Sequence, residues 1–364
     1  MTTTKLLIFD AIAEVPLGRE MHDAFLQLGL KSVYADCRAF KQKKGYRFRA
    51  AFKKMLNRIE GSSDHFYHFP KLIERQFAHF VATELPTHVL VIGFIYKQLS
   101  PAFVLQLKEK YQFSIYLYDT DSCNLYPKRR EFLFFIDHEL PIYDEIFSFS
   151  KVTTRFFSET KKLKATFLPF GAAPLAIKAK QNPEVDALFV GSGDLRRIFL
   201  LEGIKDVVTI YGNRWQRNFP LMTDKLKSRV TDQTIWGEAL HELLANSKIV
   251  ININRTHFYG AGTGVNLRIF EALSANAFVL TDYCDELADL FEIGKEIEVF
   301  RTNQELVEKV DYYLSHPEKR LKIAKNGHAK LMSSHTWHAR AVEIAKRFKS
   351  KEVFNEDINA TSIN

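Results

Sequence analysis

The sequence is poor in cysteine. Its 364 residues include only three, Cys37, Cys123 and Cys284, which lie far apart along the chain. No Cys-x-x-Cys pair or Cys/His spacing typical of a zinc site is present, and an odd number of cysteines argues against a disulfide framework. We therefore expect a protein of a reducing compartment, the cytoplasm, that binds no metal.

Long apolar runs are missing as well. No segment approaches the roughly 18 consecutive apolar residues of a transmembrane helix. The first residues, MTTTKLLIFDAIAEV, lack the pattern of a signal peptide. Hydrophobic residues still make up 46% of the chain, which excludes wholesale disorder. The length fits two α/β domains better than one.

Acidic residues are absent from one basic stretch, Arg38–Arg58, in a chain whose net charge is +8. Three interpretations are open: a solvated face, contact with an anionic membrane, or binding of nucleic acid. The spacing of Phe48, Phe52 and Met55 is typical of an interfacial helix, and no known nucleic-acid-binding module accompanies it. We favour a solvated face or peripheral contact with the inner face of a membrane, and we expect no nucleic-acid partner.

The chain alternates between strand-like and helix-like segments, which is typical of parallel sheets covered by helices. In the first half the predicted strands are Lys5–Ala11, Ser32–Cys37, His88–Phe94, Ser114–Asp121, Asp144–Ser150 and Ala165–Gly171. In the second half they are Asp186–Gly193, Val207–Gly212, Lys248–Arg255 and Ala277–Asp282. The polar stretch Lys178–Glu184 between the halves is typical of a linker. The pattern predicts two Rossmann-like domains with a ligand cleft at the carboxyl ends of their strands.

Four motifs in the second half favour one function among those that such a fold supports. In chain order they are FVGSGDLRR (Phe189–Arg197), TIYGNRW (Thr209–Trp215), ANSKIVININ (Ala245–Asn254) and GVNLRIFEALSANAFVLTD (Gly264–Asp282). This series resembles the glycosyltransferase-like family that includes the spore-maturation CgeB proteins and, more distantly, glycosyltransferase family 4. The resemblance covers Val185–Ala345. It implies the α/β fold called GT-B, in which two Rossmann-like domains face a central cleft and the second domain binds a sugar nucleotide.

The same resemblance implies the limits of the domains. The acceptor-side domain would comprise residues 1–177 and a returning C-terminal helix within 336–364, and the donor domain would comprise residues 184–335. The last helix is predicted from the apolar spacing of Trp337, Ala341, Ile344 and Phe348.

The first donor motif places Gly191 and Gly193 directly after a strand. Glycines there allow a close approach of the backbone, and their N–H groups are suited to a diphosphate. Arg196 or Arg197 would add positive charge, and the family pattern favours Arg197. The alternative is an ordinary turn with surface arginines.

The second donor motif is a glycine-rich loop that reaches Gly264 and leads into a helix, whose N-terminus favours anions. We expect Asn266 and Arg268 to bind the pyrophosphate or the sugar. Glu271 lies on the same helix face as Arg268. In similar enzymes the glutamate at this position binds the ribose hydroxyls of the nucleotide. The alternative for Glu271 is a solvated helix carboxylate.

Two further positions bear on the donor. Many retaining enzymes of family 4 carry a second glutamate eight residues before the first, and this chain has Thr263 there. The stereochemical outcome and the sugar are therefore left open. Trp236, close to Thr234, precedes a helix where related enzymes place the base. Trp236 therefore has two alternative roles, which are to stack on the base of the nucleotide or to pack in the core of the domain.

Four residues of the first half are candidates for the site: Asp119, Asp121 and His22 for catalysis, and Gly18 for binding of the donor. Asp119 and Asp121 follow an apolar strand. We expect one of them to contact the acceptor or act as a base rather than hold a metal, and a plain strand-end turn is an equal alternative. Gly18 lies where GT-B folds bring a loop near the donor phosphates. His22, four residues later, is a catalytic candidate or a structural histidine.

The predicted function is transfer of a sugar from a nucleoside-diphosphate donor to a glycan, lipid-linked or polymer acceptor, with no cofactor. The first alternative is a catalytically silent protein of the same fold that binds a sugar nucleotide or a glycan, which the threonine at Thr263 favours. The second is a basic module for nucleic acid or membrane, which would depend on Arg38–Arg58.

Overall fold

The computed structural model of the protein describes residues 4–12, 15–59, 64–175 and 183–348. These residues form two compact units. The first unit extends to Leu168 and resumes at Arg340, and the second unit is Pro169–Ala339. Each unit contains one six-stranded sheet. No helix in the described ranges is long and apolar enough to cross a membrane.

The first unit is built on a sheet whose neighbouring strands are all parallel. The strands are β1 (Lys5–Asp10), β2 (Lys31–Asp36), β3 (His88–Ile92), β4 (Ser114–Asp119), β5 (Glu145–Ser148) and β6 (Ala165–Phe167). Their order across the sheet is β2-β1-β3-β4-β5-β6. The strand order therefore reverses between β1 and β3, and open α/β sheets bind ligands outside the carboxyl ends of strands at such a point.

The helices of this unit follow the predicted alternation. They are α1 (Leu17–Gln27), α2 (Tyr46–Ile59), α3 (Glu74–Glu84), α4 (Pro101–Tyr111), α5 (Arg129–Phe134) and α6 (Lys151–Arg155). The inner strands β1 and β3 are apolar over most of their length because both faces of a parallel sheet are covered. Leu6 and Leu7, which face opposite sides of β1, are both fully buried. Gly29 follows α1 with a φ of 77°, a left-handed conformation that glycine adopts without strain.

The second unit repeats this architecture. Its strands are β7 (Val185–Val190), β8 (Val208–Tyr211), β9 (Val230–Thr231), β10 (Ser247–Asn252), β11 (Val279–Asp282) and β12 (Glu298–Phe300). They are again parallel, in the order β12-β11-β10-β7-β8-β9. The strand order reverses between β7 and β10, which are hydrogen-bonded neighbours. This reversal marks the expected ligand edge of the second sheet.

The helices of the second unit include the short segments that carry the predicted donor residues. They are α7 (Leu195–Glu202), α8 (Asp224–Lys227), α9 (Gly237–Ala245), α10 (Thr256–Gly260), α11 (Leu267–Ser274), α12 (Asp285–Leu290), α13 (Asn303–Ser315) and α14 (Pro317–Ser334).

A last helix, α15 (residues 337–348), belongs to the first unit from Arg340 onward. Its residues Ile344 and Phe348 are buried at helical spacing. The ring centroid of Phe348 lies 4.5 Å from that of His88 and 5.2 Å from that of Tyr116. The core of the first unit therefore includes the end of the described chain, whereas residues 349–364 lie outside the described residues.

The predicted strands correspond to observed ones, and two observed strands are additional. The pattern does not predict β9 and β12, which are only two and three residues long. The first unit ends at Leu168, before the predicted limit of residue 177, and resumes at Arg340, after the predicted residue 336. Ala172 pairs with Thr336, and the Ser274 hydroxyl donates to the Ala173 carbonyl oxygen, both within the second unit. The predicted linker falls mainly on residues 178–182, outside the described residues, and the limits of the functional domains stay a prediction.

Candidate functional site

The loops that follow β7 and β10 are joined where the strand order of the second sheet reverses. The link is the guanidinium of Arg197, in the first turn of α7. Its Nε and Nη2 donate to the carbonyl oxygen of Ile253 after β10, at 2.9 and 2.7 Å. Its Nη1 donates to the carbonyl oxygen of Ser192 after β7, at 2.8 Å. One side chain thus fixes both loops at the ligand edge of the sheet.

This geometry changes the role predicted for Arg197. The side chain is buried, and burial lowers its pKa to about 10. A contact with a phosphate would require it to release the backbone carbonyl groups that it holds. We therefore assign Arg197 to the organisation of the loops and do not propose it as a phosphate ligand.

Arg196, one residue earlier, lies closer to the solvent. Its Nη1 donates to the Asp282 carboxylate at 2.7 Å and to the Asn254 carbonyl oxygen at 2.9 Å. Its guanidinium lies 3.7 Å from the centre of the Tyr259 ring. Burial raises the pKa of Asp282, and the positive charge of Arg196 opposes that shift.

Arg255 completes a cluster of guanidinium groups at the strand reversal. Its Nη2 lies 3.4 Å from the Ser192 hydroxyl in the β7 loop. Arg196, Arg197 and Arg255 thus gather around the ends of β7 and β10. Guanidinium groups bind phosphate oxygens through paired N–H donors, so Arg196 and Arg255 are the members of this cluster that are suited to a diphosphate.

Helix α11 carries a buried ion pair beside an exposed indole. Arg268 Nη1 donates to Glu271 Oε2 at 2.6 Å, and the two side chains are 11% and 7% exposed. The Arg268 guanidinium also lies 5.5 Å from the ring centre of Trp236, which is 38% exposed. Burial raises the pKa of Glu271, while the charge of Arg268 opposes the shift. Glu271 is therefore not a solvated carboxylate, and Trp236 is not a core residue.

These three groups match the parts of a nucleotide. An exposed aromatic ring can stack on a base, a guanidinium can bind phosphate, and a carboxylate can accept two hydrogen bonds from vicinal hydroxyls. The Nε of Arg268 has no hydrogen-bond partner among the residues that the structure describes. This guanidinium therefore retains an unused donor.

Asn266 is the N-cap of α11. Its Oδ1 accepts from the N–H of Arg268 at 3.1 Å, and its Nδ2 donates to Oδ1 of Asn252 at 2.9 Å and of Asn254 at 3.0 Å. The side chain predicted to bind pyrophosphate therefore secures the start of α11 against the end of β10. We assign Asn266 to this structural role.

The loop before α11 requires glycine at Gly264. Its φ is 144°, and a Cβ there would lie 2.4 Å from Nδ2 of Asn254. The neighbouring Thr263 is fully buried, and its hydroxyl donates to Oε2 of Glu286 at 2.8 Å. The structure thus places the Glu286 carboxylate one hydrogen bond from the position of the missing family glutamate.

The glycines after β7, Gly191 and Gly193, allow two loops of the second unit to pack closely against each other. The N–H of Gly191 donates to the Tyr211 carbonyl oxygen, and that of Gly193 to the Asn213 carbonyl oxygen, both at 2.8 Å. A Cβ on Gly193 would lie 2.8 Å from the Arg214 carbonyl oxygen. These glycines let the loop after β8 close on the loop after β7. Their N–H groups are therefore engaged within the chain, and we do not propose them as diphosphate donors.

In the first unit Gly18 lies directly against the end of β1. A Cβ at Gly18 would lie 2.3 Å from Oδ2 of Asp10. Asp10 is buried and accepts hydrogen bonds from the Tyr34 hydroxyl at 2.8 Å and the Ile12 N–H at 3.0 Å. Close packing explains the glycine, and its predicted place near the donor phosphates stays a prediction.

His22 makes the contacts of a structural histidine. Its Nδ1 and the Ser32 hydroxyl share a hydrogen bond of 2.9 Å between α1 and β2. Burial is the main cause that lowers the pKa of His22. Because the ring nitrogen is engaged inside the first unit, we do not propose His22 as a catalytic group.

Asp119 and Asp121 differ in their surroundings. Asp119 accepts from the N–H and the hydroxyl of Ser122, at 2.9 and 2.5 Å, and from the Ser148 hydroxyl at 2.8 Å. It is 2% exposed, so the strand-end turn explains it and we do not propose it as a base. Asp121 is half-buried and accepts from the side chain of Asn124. No group of three His, Cys, Asp or Glu in the described ranges is arranged to hold a metal ion.

The sequence analysis does not single out three residues that the structure places beside the candidate site: Arg255, Asp282 and Glu286. Arg255 and Asp282 stand at the carboxyl ends of predicted strands, and this position is the signal that could have found them. Glu286 has no such signal, because its contact with Thr263 spans 23 residues of chain.

Residues 196–346 match the model of a family described as glycosyl transferase-like. The matched segment contains Trp236, Arg268 and Glu271. Most of the matched segment lies in the second unit. No curated protein matches the chain.

Solved structures share the fold over almost the whole chain. Sucrose-phosphate synthase from Thermosynechococcus elongatus superposes with a TM-score of 0.64 at 13% identity, over 96% of this chain and 99% of that one. Anabaena HepE in complex with UDP and glucose gives 0.63 at 14% identity, over 95% and 100%. A glycosyltransferase from Rickettsia africae gives 0.59 at 11% identity, over 96% and 99%. These likenesses confirm the predicted GT-B fold of two Rossmann-like domains.

Proposed function

We propose that this chain, a GT-B fold with a glycosyltransferase-like domain, transfers a sugar from a nucleoside-diphosphate donor to a glycan, lipid-linked or polymer acceptor. The observation that carries the proposal is the grouping of Trp236, Arg268 and Glu271 on neighbouring segments of the second unit. A uridine nucleotide is the first donor to test, since HepE, which has this fold, was solved in complex with UDP-glucose.

Each group of this set has a distinct task in the proposal. Trp236 stacks on the base, and Glu271 accepts hydrogen bonds from the ribose hydroxyls. Arg268 and the arginines at the ends of β7 and β10, Arg196 and Arg255, neutralise the diphosphate as its bond to the sugar breaks. Charge that develops on the leaving group is thereby stabilised without a metal ion, so we propose that the reaction is metal-independent.

Two other carboxylates are the candidates for contact with the acceptor and with the transferred sugar. Asp121 is the first-unit candidate for orienting or deprotonating the acceptor hydroxyl, since it is half-buried. Glu286, held by Thr263, is the candidate for contact with the transferred sugar. The cytoplasmic location expected from the cysteine content stays a prediction.

The proposal is tested by the melting temperature of the protein with UDP, GDP, ADP, CMP and dTDP in a buffer that contains EDTA. A ligand that binds only the native state raises the melting temperature. We expect one of these nucleotides to raise it, and to raise it less in Glu271→Gln. No shift with any of them would contradict the proposal, and a shift that requires manganese or magnesium would contradict metal independence.

Binding without transfer is the second candidate function, and the observation that favours it is Thr263 in the place of the family glutamate. The two candidates differ in whether the bound sugar nucleotide is ever cleaved. Release of the nucleoside diphosphate from the donor, by transfer or by slow hydrolysis, identifies an enzyme. Tight binding with an intact donor identifies a binding protein.

A further inference from the structure

Helix α2 presents an apolar stripe to the solvent. Phe48, Phe52, Met55 and Ile59 are exposed by 85%, 54%, 47% and 70%. Their spacing of four, three and four residues aligns them along one side of the helix. We call these four residues the α2 stripe.

The opposite side of α2 attaches the helix to the first unit. Asn57 Nδ2 donates to the Tyr67 carbonyl oxygen at 2.8 Å, and its Oδ1 accepts from the Tyr67 N–H at 2.9 Å. The ring of Tyr46 stacks on that of Phe69, with centroids 6.3 Å apart. Because Tyr46 and Asn57 are far from the α2 stripe around the helix axis, the stripe faces away from the core of the unit.

Basic side chains flank the α2 stripe on both edges. With 3.6 residues per turn, Arg47, Lys54 and Arg58 follow one edge and Arg49 and Lys53 follow the other. All of them except Lys53 are exposed. No acidic residue occurs in the helix. An apolar strip between two rows of cations is the pattern of a helix that lies in the surface of a membrane.

We propose that α2 docks on an anionic lipid bilayer, with the α2 stripe at the acyl boundary and its flanking cations among the headgroups. The apolar side chains gain free energy by leaving water, and the cations by approaching anionic headgroups. Nucleic acid would neutralise the cations but would leave four large apolar side chains uncovered. A bilayer meets both requirements along the whole helix.

The structure also narrows the basic surface predicted from Arg38–Arg58. Arg38 pairs with Asp36 at 2.6 Å, and Lys43 lies 3.5 Å from the Glu74 carboxylate. These two charges are therefore balanced within the first unit. Arg49 and Lys53 lie over the rings of Phe69 and Tyr67. The exposed cations available to a membrane are Arg47, Lys54 and Arg58 beside the α2 stripe, with Lys41 and Lys44 before the helix.

The test is sedimentation of the full chain with vesicles of equal parts phosphatidylcholine and phosphatidylglycerol. We expect binding that disappears with pure phosphatidylcholine and at high salt. Combining Phe48→Ser with Phe52→Ser should lower the partition coefficient at least about 100-fold, since each phenylalanine contributes roughly tenfold or more on leaving water. Combining Arg47→Gln, Lys54→Gln and Arg58→Gln should also lower it about 100-fold.

The matched control is Phe199→Ser, which changes a phenylalanine of α7 in the second unit that is 60% exposed. It should bind vesicles as the wild type does. Since the α2 stripe is solvent-exposed, all variants should keep the wild-type melting temperature. In a separate measurement, the emission of Phe48→Trp should shift to shorter wavelength on addition of anionic vesicles, and that of Phe199→Trp should not.

Equal binding by the double serine variant, or no emission shift in Phe48→Trp, would overturn the proposal. So would a change of oligomeric state in the serine variant with unchanged vesicle binding, which would assign the α2 stripe to a contact between copies of the chain. Neither assay uses a sugar nucleotide or an acceptor, so their outcome is independent of the proposed transfer.

Discussion

Arg268 donates a hydrogen bond of 2.6 Å to Glu271 within one turn of α11, and both side chains are nearly removed from water. A buried charge that loses its partner is costly, so each residue depends on the other. The exposed ring of Trp236 beside Arg268 marks where a ligand can approach this pair from the solvent. The pair is thus part of the fold and of the proposed donor site at once.

The first prediction concerns the stability that this pair supplies. We expect Glu271→Ala to lower the free energy of unfolding by about 2–4 kcal/mol, because Arg268 is left buried without its partner. Combining Glu271→Ala with Arg268→Met should cost less than the sum of the single changes. Urea denaturation of the four proteins measures this coupling, and strictly additive losses would show that the two side chains do not stabilise each other.

The second prediction concerns the base. Trp236→Ala should weaken binding of the donor nucleotide about tenfold, since stacking of an aromatic ring on a base contributes roughly 1–3 kcal/mol. Tyr312→Ala is the control, because Tyr312 is also 38% exposed in the second unit. Calorimetry that finds the same affinity in both variants would remove Trp236 from the site.

The third prediction concerns the end of α15. Phe348 is 1% exposed against His88 and Tyr116, so Phe348→Ala should lower the free energy of unfolding by about 3–5 kcal/mol. Lys346→Ala, an exposed change on the same helix, should alter it by less than about 0.5 kcal/mol. Equal unfolding curves for the two variants would mean that the first unit does not need this helix.

The fourth prediction concerns the pH dependence of stability. Glu139 is fully buried and accepts from the N–H groups of Ile95 and Tyr96, at 3.0 and 2.7 Å, and from the Tyr143 hydroxyl at 2.9 Å. Burial outweighs these bonds and raises the pKa of Glu139 from its ordinary value of 4.5 to about 7.

The folded protein therefore keeps a proton between pH 4.5 and about 7 that the unfolded chain releases. Stability should fall as the pH rises through this window, and the contribution of Glu139 to that fall is about 3 kcal/mol. Glu139→Gln should flatten the curve, whereas Glu109→Gln, an exposed change, should leave it as in the wild type. An identical pH profile in wild type and Glu139→Gln would show that Glu139 is ionised throughout.

The sequence predicts the strands well because a buried parallel strand is apolar along its whole length, and chain order then fixes which carboxyl ends meet. The helix position of Glu271 is likewise visible, since the cap and the periodicity of α11 are local. The sequence does not indicate which hydrogen-bond partner each polar side chain has in the folded protein. Arg196 and Arg197 are adjacent in sequence, yet a rotation of 100° about the helix turns one guanidinium toward backbone carbonyl groups and the other toward Asp282.

The glycine motif after β7 shows the same limit. A glycine reports only that something approaches its backbone closely, and at Gly193 the approaching group is the Arg214 carbonyl oxygen of the same chain. Asn266 is a similar case, because an N-cap and a ligand contact favour the same residue type. An asparagine uses the same side-chain atoms to cap a helix and to bind a ligand, so its presence in the sequence does not distinguish the two roles.

The most direct test of the proposed donor site is calorimetric titration of UDP, in a buffer with EDTA, into the wild type, Glu271→Gln and Glu109→Gln. The account predicts saturable binding to the wild type and to Glu109→Gln with equal affinity. It predicts at least about tenfold weaker binding to Glu271→Gln, because a charged acceptor is replaced by a neutral one. Equal affinity in all three proteins, or no saturable heat with UDP or with GDP, ADP, CMP and dTDP in its place, would contradict it.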